Sequence, residues 1–412
     1  MQKKLTNRIS LNLILLQQGV AAMLVMAFLA GCSASDTTPT SEAEASSADQ
    51  VFSRFARYGA DVWAKNPAAR ISGEGQACIS CHTSLPYALV EPLLPGTYPA
   101  YTDLIKNINN RILTWSDNTA WYSDDKLEQT AALGNISPDV LKAVLNAAGS
   151  RGVEAIFNAF IRAMHDAYSK KPAQLETQRA FENMWAEQIQ FGQTAGRWKW
   201  IQVNLIPWEV ADSDIWGAAL ACVAASLFPE LAPQDNLKLL HATLRQASTD
   251  DKVSLHVKSA ILWCDAETGG QLLEKDVARQ IMSQLLERQH QNGGWALREL
   301  GPWTGWEGSD SDCCGKRDIR PDAYATGFVT LALARNLHQI SGDDKAQLDK
   351  AVAWIERQLQ NPYPAEPRHN KHESAEAELP EFRNNLYTNA GHMWAFLART
   401  VYKGQKPPWV VD

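Results

Sequence analysis

Outside its first eight residues the chain has no cluster of Lys or Arg. Its 39 basic residues are outnumbered by 46 acidic ones, for a formal net charge of −7. The sequence therefore predicts no nucleic-acid partner. It has no run of alternating β-branched residues, no Gly-X-Y period and no sustained heptads. With 45% hydrophobic residues, collagen, coiled coil and disorder are excluded as the main state. Between residues 83 and 163 there is neither Cys nor His, so no local Cys/His pair can complete a zinc site there. Trp, by contrast, is abundant, with 15 in 412 residues, a length that allows two or three domains.

The one long apolar stretch lies at the N-terminus. Lys3, Lys4 and Arg8 precede an apolar segment from Leu11 to Leu29, the pattern of an export signal. It ends in Leu29-Ala30-Gly31-Cys32, which resembles the bacterial lipobox, where small residues let the signal peptidase approach and the Cys thiol accepts diacylglycerol. An uncleaved membrane helix is the rival reading, since 19 residues nearly span a bilayer. The Ser-, Thr-, Ala- and Glu-rich stretch after Cys32 favours the lipobox, because it buries too little apolar surface to fold. The expected organisation is a lipoprotein signal peptide over 1–31 and a disordered tether over 32–50. A lipid-anchored soluble part then lies on the periplasmic side of a bacterial envelope, at the outer membrane, with Cys32 acylated.

Cys78-Ile79-Ser80-Cys81-His82 is a C-x-x-C-H string, the attachment pattern of c-type haem. Two thiols at this spacing can add to the two vinyl groups of one haem, and the adjacent imidazole reaches the iron. A thioredoxin-type pair would need a βαβ setting, which Gly73-Glu74-Gly75-Gln76 and Pro86 do not suggest. A plain disulfide would leave His82 without a role. The expectation is one covalent haem on Cys78 and Cys81, with His82 as proximal ligand, in a segment spanning 51–134. The distal ligand is open. The first candidates downstream are Met164 and His165. Val153, Ile156, Phe157, Phe160, Ile161 and Met164 form a helical apolar stripe, so Met164 reads as core and His165, one step off it, as the alternative. Met184, Met282, His290, His392 and Met393 follow as further candidates, and a five-coordinate iron remains open.

From about residue 135 the signals are helical. Ser137-Pro138-Asp139 supplies a helix start. Asp214-Ile215-Trp216-Gly217-Ala218-Ala219-Leu220, Asp322-Ala323-Tyr324-Ala325-Thr326-Gly327-Phe328 and Leu386-Tyr387-Thr388-Asn389-Ala390-Gly391-His392 repeat one pattern: an aromatic, a small-residue turn, then an apolar run. Gln289-His290-Gln291-Asn292-Gly293-Gly294-Trp295 has the spacing Q-x3-G-x-W. This resembles the QW motif of squalene–hopene cyclases and related terpene cyclases. There the Gln caps helix ends and the Trp stacks against it, tying the hairpins of an α/α toroid. Gly196-Arg197-Trp198 with Gln190 upstream is a looser copy, and Gln358-Leu359-Gln360-Asn361 a degenerate one. With the C-x-x-C-H string, the chain resembles bacterial exported proteins that join a haem segment to a squalene-cyclase-like toroid. The resemblance implies an all-α chain: a short cytochrome-c-like helical segment followed by an α/α toroid of helical hairpins over 135–412.

The acid of a class II terpene cyclase lies in a D-x-D-D motif, which neither Asp310-Ser311-Asp312-Cys313 nor Asp322 reproduces. Asp322, at a helix head, reads as an N-cap. Protein prenyltransferases hold zinc on the same toroid through Asp, Cys and His, a set that Asp265, Cys264 and His392 match poorly in spacing. Cys313 and Cys314 form a vicinal pair in a long loop, with pairing to Cys222 or Cys264 open. His369 and His372 lie in a charged insertion that reads as a solvated loop. The expected function is a redox role, electron transfer or haem-based, with a partner protein or a hydrophobic small molecule. The alternatives are a terpene-cyclase-like enzyme on an isoprenoid lipid and a hydrophobic-ligand-binding, redox-sensing module.

Overall fold

The computed structural model describes residues 41–65, 79–96, 98–118, 120, 147–202, 206–303, 320–360 and 381–404; for 41–48 and 381–389 only the helical backbone is described. The chain divides into two compact units, Met1–Ser47 and Ala48–Asp412. Of the first, only the beginning of a helix is described, and apart from that helix all that follows concerns the second. The chain is all-α, with no strand among the described residues. The expected signal peptide, Cys32 and Ser137-Pro138-Asp139 lie outside the described residues. Among those described, no helix is long and apolar enough to cross a membrane.

Three helices come first: α1 (Ser41–Lys65), α2 (Ser84–Val90) and α3 (Pro99–Leu113). Next are α4 (Ala147–Tyr168), α5 (Leu175–Ala186), α6 (Ser213–Leu227) and α7 (Gln234–Thr249). The last are α8 (Leu255–Glu267), α9 (Lys275–Leu286), α10 (Ala323–Arg335), α11 (Gly342–Gln360) and α12 (Glu381–Tyr402). Residues 41–50, expected as tether, form the first ten of α1. Their Ala and Glu content suits a helix, and the apolar face from Phe52 to Phe55, buried in the core, lets the turns propagate upstream.

Two kinds of helix alternate along the chain. The sequences of α6, α8 and α10 are apolar nearly all round, and these helices are buried almost throughout. Those of α7, α9 and α11 carry one apolar stripe and keep a polar face exposed. Contacts between the buried helices run in a closed cycle: α2 to α4, α6, α8, α10, α12 and back to α2. Helices α5, α7 and α9 pack on α4, α6 and α8 respectively, and α11 packs on both α10 and α12. The stretches expected as separate domains, 51–134 and 135–412, thus share one unit, with α2 a member of the cycle.

The small residues of the repeated pattern permit the close approach. A Cβ on Gly327 of α10 would lie 2.4 Å from the backbone nitrogen of Ala395 in α12, and one on Gly391 would lie 3.0 Å from the nitrogen of Tyr324. Gly217 leaves room for the Trp200 ring, at 2.2 Å from where its Cβ would be. A Cys222–Cys264 disulfide joins α6 to α8.

Two loops fold alike. Trp295 Nε1 donates to the Leu285 carbonyl ending α9 (2.6 Å), while Gln289 Nε2 donates to Gly293 and to Gln347 of α11 (2.8 Å each). Ninety-odd residues earlier, Trp198 Nε1 donates to Met184 ending α5 (2.6 Å), and Gln188 Nε2 to Gly196 (3.4 Å) and Asn236 of α7 (3.2 Å). Gly196 and Gly293 both have positive φ, +83° and +98°, and a side chain there would strike a helix carbonyl. The second latch is therefore headed by Gln188, and Gln190, expected in that role, is exposed and bonds to Gln188 instead. The Trp donates to the helix end, and the Gln bridges its own loop to the next amphipathic helix. The third, degenerate copy runs past residue 360, beyond the described residues.

Candidate functional site

Cys81 and His82 sit in a tight turn before α2. Ser80, between the two cysteines of the motif, forms that turn: its Oγ accepts from the backbone N–H of Thr83 and of Ser84 (3.1 Å each), and its carbonyl accepts from Leu85 N (2.9 Å). A Ser here serves the same donors that N-capping side chains serve. Cys81 is buried, and Cys78 lies outside the described residues.

The His82 ring is half-buried. Its Nδ1 lies 2.9 Å from Thr83 Oγ1. Trp63 of α1 meets it edge-on at 4.8 Å between centroids, and Trp208, in the turn before α6, lies at 6.4 Å. Desolvation among these rings pushes its pKa down to about 4, so the imidazole is neutral at pH 7. A neutral imidazole is the form that ligates a metal, and a hydrogen bond on one nitrogen orients the ring and fixes its tautomer.

A polar chain leads inward from Trp208. Its Nε1 donates to Tyr324 Oη (3.0 Å), which lies 2.8 Å from His256 Nε2. Tyr324 is fully buried, and burial raises its phenol well above the ordinary value, with the neighbouring Cys81 thiol adding in the same direction. His256 on α8 is 0% exposed, and desolvation lowers it to about 3. Its ring is surrounded by Trp216, Trp303, Tyr324 and Phe328.

The other expected residues are placed as follows. Met164 is buried in the α4 core. His165 Nδ1 lies 2.8 Å from the Tyr101 hydroxyl, and Tyr101 reaches Tyr87 of α2. Desolvation, then the Arg162 charge, lower the His165 pKa. Met184, Met282 and Met393 are core residues. His290 pairs with Glu299 at 2.6 Å, and His392 meets the Phe55 ring edge-on at 5.1 Å. The contacts thus gather Cys81 and His82 with Trp63, Trp208 and Tyr324, and give His165 to Tyr101.

The poorly matched zinc set fails on chemistry. Cys264 is spent in the disulfide, and Asp265 Oδ1 accepts from the backbone N–H of Leu272 and Leu273. Among the described residues no cluster of three or more His, Cys, Asp or Glu could hold a metal ion. Asp322 is the N-cap of α10, accepting from Ala325 N (2.8 Å) and Leu297 N (2.7 Å). Asp310, Asp312, Cys313, Cys314, His369 and His372 lie outside the described residues.

Sequence reasoning missed Thr83, Trp63, Tyr324 and His256 as members of this cluster. Thr83 had a signal, since it directly follows the motif. His256 had none, because an all-round apolar helix gives no hint of which polar residue faces which neighbour. No protein-family model matches the chain, and no curated protein sequence matches it either.

Proposed function

We propose that the chain is an exported, lipid-anchored protein that carries one covalent c-type haem through Cys78 and Cys81, with His82 as proximal ligand, on an α/α toroid formed by the closed helix cycle. The observation that carries this reading is the turn itself. Cys81 and a neutral His82 stand side by side, the imidazole fixed by the Thr83 hydroxyl and walled by Trp63 and Trp208. These features fit a haem, which needs an oriented neutral imidazole and an apolar surround. The bound haem would exchange single electrons. The chain's own residues would hold the ring plane of His82, limit water on that side, and set the polarity around the iron.

Two further observations support the reading. A Cys222–Cys264 disulfide suits an oxidising compartment outside the cytoplasm, as the export signal and Cys32 lipidation require. Asp322, the carboxylate at the head of the repeated pattern, is engaged in helix capping, which weighs against cyclase-type proton donation. The redox partner would be a second protein or a hydrophobic small molecule reaching the lipid-anchored domain.

The test is expression with haem-attachment machinery, followed by a denaturing gel stained for haem peroxidase. The expected result is a stained band that disappears in Cys81→Ala. An unstained wild-type band overturns the haem assignment.

A further inference from the structure

Three buried side chains form one hydrogen-bonded line. Trp208 Nε1 donates to Tyr324 Oη (3.0 Å), Tyr324 Oη lies 2.8 Å from His256 Nε2, and all three residues are at most 2% exposed. Because the Trp208 N–H already occupies Oη, the Tyr324 hydroxyl hydrogen needs an acceptor, and His256 Nε2 is in place to be one. The neutral imidazole then carries its own proton on Nδ1. A phenol thus points its hydrogen at a base, within the reach over which a positioned base takes a proton. The outer end of the line touches the turn of Cys81 and His82. The Trp208 ring lies 6.4 Å from that of His82 and 5.2 Å from that of Tyr324, so neighbouring rings lead from the turn to the phenol.

A phenol gives up an electron readily only when its proton leaves as well, since the phenol radical cation is a very strong acid. In a dry interior the proton has no water to go to and needs a base beside it. Burial holds His256 unprotonated at rest, so the base is free, and its weak basicity returns the proton when the electron comes back. Two features favour the positive charge that an oxidation leaves behind. The Asp322 carboxylate acts on Tyr324 from close by, and the faces of Phe328 and Trp303 lie 5.1 and 5.8 Å from the His256 ring. Tyr101 and His165 form another such pair at 2.8 Å, but there the Arg162 charge opposes a cation on the histidine. The charges select Tyr324.

We propose that Tyr324 is a redox-active residue, which gives one electron to a metal-centred one-electron oxidant and, in the same step, its hydroxyl proton to His256 Nε2. The O–H bond of Tyr324 breaks, an N–H bond forms on His256, and the oxidant is reduced by one electron. What remains is a neutral phenoxyl radical beside an imidazolium, with the Trp208 N–H still donating to the radical oxygen. Reduction reverses each change. Use of this residue as a second one-electron carrier beside a haem rests on the function proposed above; the chemistry of Tyr324 and His256 does not.

The experiment oxidises the full chain with photogenerated tris(bipyridine)ruthenium(III), any haem being held ferric, and reads the product by electron paramagnetic resonance. The expected result is a long-lived neutral tyrosyl radical, lost in Tyr324→Phe and kept in Tyr101→Phe. His256→Gln keeps a hydrogen-bond acceptor but no base, so radical formation should slow by about 100-fold, the usual share of a positioned base. In the unmodified protein, pulsed hyperfine spectroscopy should find two hydrogen-bonded protons on the radical oxygen, one from Trp208 and one from His256. The absence of a long-lived radical overturns the proposal, as does one that survives Tyr324→Phe or forms at an unchanged rate in His256→Gln. The proton count decides the matter even if a variant fails to fold, since fewer than two such protons also overturns it. A radical with these properties in a chain that stains for no haem supports the pair and leaves only the haem assignment to fall.

Discussion

Replacing Gln188 by Leu should destabilise the protein, while the same change at Gln190, two residues on, should not. Gln188 is buried and its amide donates to two backbone carbonyls, Gly196 in its own loop and Asn236 in α7. A neutral hydrogen bond contributes about 1 kcal/mol net, and a buried acceptor left unmade costs about 1–3 kcal/mol. The two distances, 3.4 and 3.2 Å, are at the long end of the range, which puts Gln188→Leu at about 1–2 kcal/mol. Gln289→Leu should cost about 2 kcal/mol, because its two bonds are both 2.8 Å but its half-buried setting admits some water. Gln190→Leu, at an exposed position, should stay within about 0.5 kcal/mol. Urea unfolding followed by circular dichroism at 222 nm reads these as shifts of midpoint at constant slope. If Gln190→Leu costs as much as Gln188→Leu, the assignment of Gln188 as head of the earlier latch is wrong.

Three other outcomes follow from geometry. His256 has an unfolded value of 6.5 and a folded one of about 3, so its contribution is intact above pH 6.5 and erodes as pH falls from there towards 3, at up to about 1.4 kcal/mol per pH unit; His256→Gln should flatten that acid slope in urea titrations at pH 7 and 5, leaving the shares of His82, His165 and His241, which burial also lowers, and an unchanged slope would contradict the assignment. Replacing both Cys222 and Cys264 by Ala opens a loop of 42 residues and should cost about 4 kcal/mol, read from the urea midpoint, with reduction of the unfolded protein releasing two more reactive thiols in the wild type than in the double variant. Gly327→Ala should destabilise by about 1–3 kcal/mol, since its Cβ meets backbone of α12 that cannot turn aside, whereas Gly342→Ala, with nothing within 4 Å, serves as the control.

Helix class was legible because apolar periodicity and capping residues act locally. Asp322 could be read as an N-cap from its place before Ala323-Tyr324, and it is one. The first latch was legible from Gln289 and Trp295, whose loop is short. The earlier copy was misassigned because its loop is four residues longer, and Gln188 and Gln190 are indistinguishable by type. What decides between them is which side chain is buried against α7, a tertiary fact. The first ten residues of α1 were read as a tether from composition, although the same Ala and Glu residues extend a helix once its apolar end is docked. The aromatic cluster around His82 was the least legible part. Trp63, Trp208 and Tyr324 come from positions up to 261 residues apart, and nothing local to any of them announces the other two.

The closure of the helix cycle has a consequence for how the chain comes to its native state. Helix α2 meets α12 across some 300 positions, Phe52 stacks on Phe396 at 4.4 Å, and Asp49 pairs with Arg399 at 2.7 Å. The first helices to leave a ribosome or a translocon thus wait for the last one before their apolar faces are covered. Pairings this distant are slow, because loop-closure entropy is lost before any contact is gained. Any partial chain presents an open arc with two bare apolar ends, a species prone to stick to itself or to a chaperone. The turn bearing Cys81 and His82 stays accessible for that whole interval, so a reagent meets the Cys81 thiol more readily before the arc shuts than after, when it is buried.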